Sequence, residues 1–308
     1  MSLFPARLAP GHLMSVLFLL LGLAGPQASL AEINLTQANG ETLTLPKPVG
    51  RIITLAPNLA ELVFAAGAGD LLKAVVEYSN FPAPVRTIPR IGDAFRIDLE
   101  GIIELKPDLV IAWQSGNPQT ALQKLEQLGI TVWQVEITRP GQIPDTVEAI
   151  SNVAGTQSVG HPSAQQLRNR LNELLRQNAM KTPVRYFYQI AARPLYTING
   201  HHIISRSLAI CGGVNVFSDL PTRAPQISRE SVILKNPEVM IAPELPGEIP
   251  ALGHWQDWPR LTAVSNSNLL YLPADQISQA TPRLLDSIEL ACALLDDFRK
   301  STEQVEKQ

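Results

Sequence analysis

LKPDLVIAW, Leu105–Trp113, places four consecutive apolar residues, Leu109 to Ala112, before a tryptophan and the polar run Gln114-Ser115-Gly116-Asn117-Pro118. An unbroken apolar run of this length predicts a parallel strand covered on both faces; a strand with one wet face would alternate. Trp113 stands at the carboxyl end of that strand, where open α/β sheets hold their ligands. The passage also has an echo further along the chain. Asp98-Leu99-Glu100 precedes the first run, and Ser228-Arg229-Glu230 precedes Leu234-Lys235-Asn236-Pro237-Glu238-Val239-Met240-Ile241-Ala242. In each copy an N-cap residue opens a short helix with a glutamate in its first turn, and Leu-Lys leads into a Pro-acidic-apolar strand. The helix dipole alone would account for one such glutamate. Two in matching places mark equivalent surfaces on a pseudo-symmetric molecule.

Arg51–Leu55, Ala74–Val76 and Thr131–Val135 read as further strands, and Arg185–Ile190 restarts the pattern. Ala60–Ala66 and Thr120–Leu128 read as helices stopped by Gly67 and Gly129. Two helical segments, Ile143–Ala154 and Ser163–Met180, interrupt the alternation; Leu167, Leu171 and Leu174 lie on one face of the second. A last helix falls around Pro282–Phe298. The expected architecture is α/β: two similar lobes with parallel-leaning sheets, joined by a long connecting helix. The expected segments are 32–140 for the N-terminal lobe, 141–184 for the linking helices and 185–308 for the C-terminal lobe.

Residues 1–31 read as a cleaved signal peptide. Arg7 and His12 precede the apolar run Met14–Ala24, and Ser29-Leu30-Ala31 has small residues where a signal peptidase reads. That run is short for a membrane span. No cysteine lies near the cleavage point, so a soluble exported protein is expected. Cys211 and Cys292 are the two cysteines of the 308-residue chain, and in an oxidising compartment they predict a disulfide before a metal pair. A net charge of −3 gives no basic excess to attract nucleic acid. The sequence contains no Gly-x-Ser-x-Gly elbow, His-Glu-x-x-His or phosphate loop, which argues against a secreted hydrolase. No catalytic residue, resident cofactor or protein-built metal site is expected.

The segment Arg51–Glu61, the LKPDLVIAW run, Cys211-Gly212-Gly213-Val214-Asn215-Val216-Phe217 and Thr281-Pro282-Arg283 resemble the helical-backbone substrate-binding proteins of ABC importers, over residues 51–303. Ile-Ala-Trp113 with Gly116-Asn117, Tyr78-Ser79-Asn80-Phe81-Pro82 and Pro225–Glu230 point to the branch that binds cobalamin. The resemblance implies a ligand cleft between two lobes joined by a rigid helix. It implies that Tyr78, Trp113 and Tyr196 line the cleft and that Asp275-Gln276-Ile277-Ser278-Gln279 meets the corrin amides. It pairs Cys211 with Cys292. It also implies a monomer that docks through Glu100 and Glu230 onto a dimeric inner-membrane permease with its ATPase subunits. The chain departs from that branch at Ala94-Phe95 and Ala224, where cleft tryptophans are expected, and at Gln279, where an arginine is. Phe95 is the candidate replacement wall. Two other ligand classes stay open: a ferric siderophore, with Arg90, Arg96, Arg193 and Arg223 as candidate partners, and haem, with Tyr78 or His202 as axial ligand.

Overall fold

The computed structural model describes residues 1–2 and 32–305. Apart from its first two residues, the expected signal peptide lies outside the described residues. The chain begins with a hairpin, β1 (Ile33–Thr36) and β2 (Thr42–Leu45). The first lobe follows as β3 (Ile52–Thr54), α1 (Pro57–Ala65), β4 (Leu72–Val75), α2 (Leu99–Leu105), β5 (Leu109–Trp113), α3 (Gln119–Gln127) and β6 (Val132–Val135). Its four strands are parallel, in the order β4-β3-β5-β6. Helices α4 (Gln142–Ala154) and α5 (Gln157–Asn178) come next. The second lobe contains β7 (Val184–Tyr188), a small hairpin of β8 (Ala191–Ala192) and β9 (Leu195–Tyr196), α6 (Ile203–Ile210), β10 (Gly213–Asn215), α7 (Arg229–Lys235), β11 (Val239–Glu244), α8 (Thr262–Ser265), β12 (Leu269–Pro273), α9 (Ala274–Ile277) and α10 (Leu284–Val305). Its main sheet is again parallel, in the order β10-β7-β11-β12. The two orders correspond strand for strand, so the expected pair of similar α/β lobes is what the chain forms.

Continuous apolar strands are explained by burial on two faces. Leu109 and Ile111 of β5 join a core that runs under both lobes, while Val110 and Ala112 face a separate core of the first lobe. In β11, Val239 and Ile241 join the shared core, and Met240 and Ala242 pack with Phe187, Phe217 and Trp255. Buried residues of α4, α5 and α10 complete the shared core, which is what makes the lobes one molecule.

Two helix starts differ from expectation. α1 begins at Pro57, not Ala60, because proline suits the first helical position, where an N–H has no partner anyway. α5 begins at Gln157 and continues through Pro162, not after it. Pro162 sits in the second turn, where its missing N–H costs one helical bond, to the Ser158 carbonyl, while the rest of α5 continues to Asn178. Gly160 lets this end approach α4: a Cβ there would stand 2.1 Å from that of Ser151.

Candidate functional site

Between the lobes lies a cavity of about 430 Å³, within the range of small-molecule sites. The first lobe lines it with Pro57 and Asn58 at the start of α1, Trp113 and Ser115 at the end of β5, and Glu136 to Thr138 just beyond β6. The second lobe adds His202 and Ile203 at the start of α6, Arg223 and Ala224, and Ser278 to Ala280 after α9. The first lobe's contribution falls at carboxyl strand ends and a helix start, as in parallel sheets generally.

Trp113 is held by its neighbours. Its backbone N–H donates to Asn117 Oδ1 at 2.7 Å, and Asn117 Nδ2 donates to the carbonyls of Leu55 (2.8 Å) and Ala94 (3.0 Å). The buried Asn117 amide therefore ties the end of β5 to the end of β3 and to the 94–95 loop. A Cβ on Gly116 would lie 2.8 Å from Trp113 Cδ1, so the indole rests where only glycine leaves room. The ring is half-buried, packing against the shared core and lining the cavity.

Among the described residues, the one acid and the one arginine that line this cavity are bonded to each other across it. Glu136 Oε1 accepts from Arg223 Nη1 at 2.7 Å and from Ser115 Oγ at 3.0 Å, while Oε2 accepts from Ser115 N at 3.2 Å. His202 is the N-cap of α6, its Nδ1 accepting from Ile204 N at 3.2 Å. Burial, together with nearby Arg223, lowers its pKa to about 4, so the ring is neutral near pH 7. In that tautomer the lone pair of Nδ1 is engaged and Nε2 carries the proton. Nε2 can then donate a hydrogen bond but cannot ligate a metal unless the cap is given up.

Of the expected contacts, the structure brings Trp113, Ser278 and Gln279 together at the cavity. Gln279 Oε1 is buried, with no hydrogen-bond partner among the described residues. Tyr78 and Phe95 instead hold their side chains largely in solvent, 77% and 75% exposed. Tyr78 adopts a left-handed backbone (φ 66°) in a turn that Arg90 fastens through the carbonyls of Val76 and Ser79. Tyr196 is half-buried in the β8–β9 hairpin. Ile277 corrects the expected run: its side chain is fully buried in the shared core, because the apolar side of the short α9 must pack there. Asp275 is engaged as an ion pair with Arg283, and Gln276 Oε1 meets Ser287 Oγ at 3.5 Å. Of the four candidate siderophore arginines, only Arg223 lines the cavity, and it is already paired. Glu100 and Glu230 are both exposed, in helices capped as expected: Asp98 accepts from Gly101 N at 3.0 Å and Ser228 from Ser231 N at 3.2 Å. Cys211 and Cys292 form a disulfide between the end of α6 and α10.

The sequence reading overlooked Glu136 and the ion pair of Arg283 with Glu61. Glu136 directly follows the strand read at Thr131–Val135, so the strand-end rule applied to Trp113 would also have found it.

Residues 52–275 match the family model described as periplasmic binding protein. The chain is 41% identical over 260 residues to the vitamin B12-binding protein of Vibrio cholerae serotype O1, covering 84% of this chain and 93% of that one. It superposes on the crystal structure of the periplasmic vitamin B12 binding protein BtuF of Vibrio cholerae with a TM-score of 0.77 and 39% identity, over 83% of this chain and all of that one. The periplasmic heme binding protein HutB of the same organism superposes with a TM-score of 0.68 over 80% of this chain and 98% of its own. At 22% identity, that likeness shows a shared fold alone. With two parallel-sheet lobes about a cleft and a match across most of its length, this chain belongs to the periplasmic binding protein family, whose members carry substrates and do not transform them.

Proposed function

We propose that this chain is a periplasmic receptor that captures cobalamin or a related corrinoid and delivers it to an ABC-type importer. The observation that carries the reading is a cleft without net charge from its acid and its arginine, walled on one side by an indole. A corrin is a wide, partly apolar ring rimmed with amides. An aromatic wall can bury its face, and unspent polar atoms such as Gln279 Oε1 can accept from its amides. Anionic siderophores and haem propionates call for uncompensated cations, and among the described residues no unpaired arginine or lysine lines the cavity. His202 serves haem poorly as an axial ligand while its Nδ1 caps α6. Strong likeness to vitamin B12-binding relatives supports the same ligand class.

Export through a signal peptide at residues 1–31 fits the disulfide, which persists in an oxidising compartment. Mature lobes at 32–140 and 185–308, linked through 141–184, complete the reading. Tyr78, Phe95, Tyr196 and the polar residues Asp275, Gln276, Ser278 and Gln279 belong to the proposed ligand surface where the lobes approach a bound ring. Docking on a permease dimer through Glu100 and Glu230 follows from their matched, exposed positions. The test is the visible spectrum of purified protein incubated separately with cyanocobalamin, cobinamide or haem and then desalted. Retained red corrinoid absorbance is expected; retention of haem with every corrinoid washed out would overturn the assignment.

A further inference from the structure

Glu136 and Arg223 are separated by 87 residues, sit on opposite lobes, and meet inside the cleft. Their surroundings differ. The Glu136 side chain is 14% exposed and fastened by two bonds from Ser115, whereas Arg223 is 53% exposed. Glu136 is the fixed member and Arg223 the adaptable one. Neither is saturated. A carboxylate offers about four acceptor positions, and three here are used. A guanidinium carries five N–H donors, and among the described residues one bond from Arg223 is made. A fixed acceptor with spare capacity beside a donor fork is the complement of one group in particular. A primary carboxamide donates through its NH₂ and accepts through its C=O on the same planar unit. A carboxylate in its place has acceptors alone and would set its charge against that of Glu136.

Resting on the corrinoid reading above, we infer that the Glu136–Arg223 pair takes a rim carboxamide of the ligand between its two side chains and rejects the corresponding carboxylic acid. Glu136 is then a specificity-determining residue: it makes the cleft select fully amidated rings over carboxylated ones. A like charge set beside the largely buried Glu136 carboxylate costs enough to favour the amide. The neutral His202 nearby offers a donor without adding a cation to offset the acid.

The test uses two probes that differ at the rim: dicyanocobinamide, whose ring amides are intact, and dicyanocobyrinic acid, which carries carboxylates in their place. Their affinities for wild type, Glu136→Gln and Arg223→Gln are measured by calorimetry at neutral pH. Wild type should prefer the amidated ring. Glu136→Gln keeps an acceptor for Ser115 but removes the charge, and should narrow that preference by about tenfold or more, chiefly through tighter binding of the acid. Arg223→Gln leaves Glu136 uncompensated and should widen the preference. Because Arg223 is exposed, this second variant keeps the test decisive if Glu136→Gln does not fold. A preference unchanged in both variants, or both probes weakened equally by each, would overturn the assignment and leave the pair as a tether between lobes. If wild type retains neither probe, the corrinoid reading itself falls and this inference with it.

Discussion

At the scale of single residues, the cleft depends on how little room Trp113 has. Replacing it with alanine removes one aromatic face from the proposed site and should weaken corrinoid binding by roughly 1–3 kcal/mol, read by calorimetry. Gly116→Ala tests the same wall without touching the ring, since the new methyl would collide with Cδ1. It should shift the Trp113 emission and weaken binding; an affinity equal to wild type would return Trp113 to a purely structural role. His202 makes a pH prediction. Its folded pKa, about 4, lies below the ordinary value near 6.5, so the unfolded chain binds the proton first as pH falls. The stability this neutral imidazole confers is whole above about pH 6.5 and is lost progressively down to about pH 4. His202→Asn keeps a side chain suited to the N-cap and cannot titrate. Its melting temperature should fall less than that of wild type between pH 6.5 and 4, and parallel curves would assign the acid sensitivity elsewhere.

At the scale of elements, local signals were readable because local physics decides them. Asp98 and Ser228 were legible as caps, and the structure extends their correspondence. Both helices end in a left-handed residue, Lys106 or Asn236, before a proline. Both give their final carbonyls to an arginine from the preceding strand region: Arg51 donates to Leu105 O and Lys106 O, and Arg185 to Lys235 O and Asn236 O. Two arginines on two negative helix ends are a second internal echo, legible only once the strands are placed. Each helix runs back toward the start of the strand that follows, so its first turn faces the cleft-bearing edge of its sheet. Glu230 is held below the ordinary carboxylate range by its own backbone N–H and by Ser228, so it is charged at neutral pH. Glu100→Ala with Glu230→Ala should leave corrinoid affinity at the wild-type value while docking to the permease falls, more so than for either single change. Docking measured in detergent-solubilised transporter should also weaken with added salt. Normal docking by the double variant would reduce both glutamates to helix-start residues.

At the scale of the whole molecule, pattern reading stopped where contacts are long-range. The helix starts at Pro57 and Gln157 lie a few residues from where the sequence pattern puts them, while the two lobes and the disulfide are legible in it. The contacts that set one lobe against the other were not, because no period or spacing connects residues 222 apart. Arg283 is the centre of one such contact. Its Nε and Nη2 engage both oxygens of Glu61 on α1, at 3.0 and 2.6 Å, while Nη1 is paired with Asp275. The guanidinium carbon also lies 4.1 Å from the centre of the Phe81 ring. Glu61 and Phe81 belong to the first lobe, Asp275 and Arg283 to the second, and the neighbouring residues Pro57, Asn58, Ser278 and Gln279 line the cavity. The Glu61 side chain is 4% exposed and that of Arg283 15%, so removing the cation strands a buried carboxylate. Losing one member of such a pair costs about 3–5 kcal/mol, whereas replacing both with apolar residues of similar size is often close to neutral. Arg283→Met should therefore destabilise the protein by that amount in urea titration, and Glu61→Leu with Arg283→Met should recover most of it. If the pair also fixes the lobe spacing, the recovered double variant should show a larger radius of gyration by solution scattering and weaker corrinoid binding. A double variant that regains stability with wild-type dimensions and affinity would assign the spacing to the shared core under α4, α5 and α10 alone.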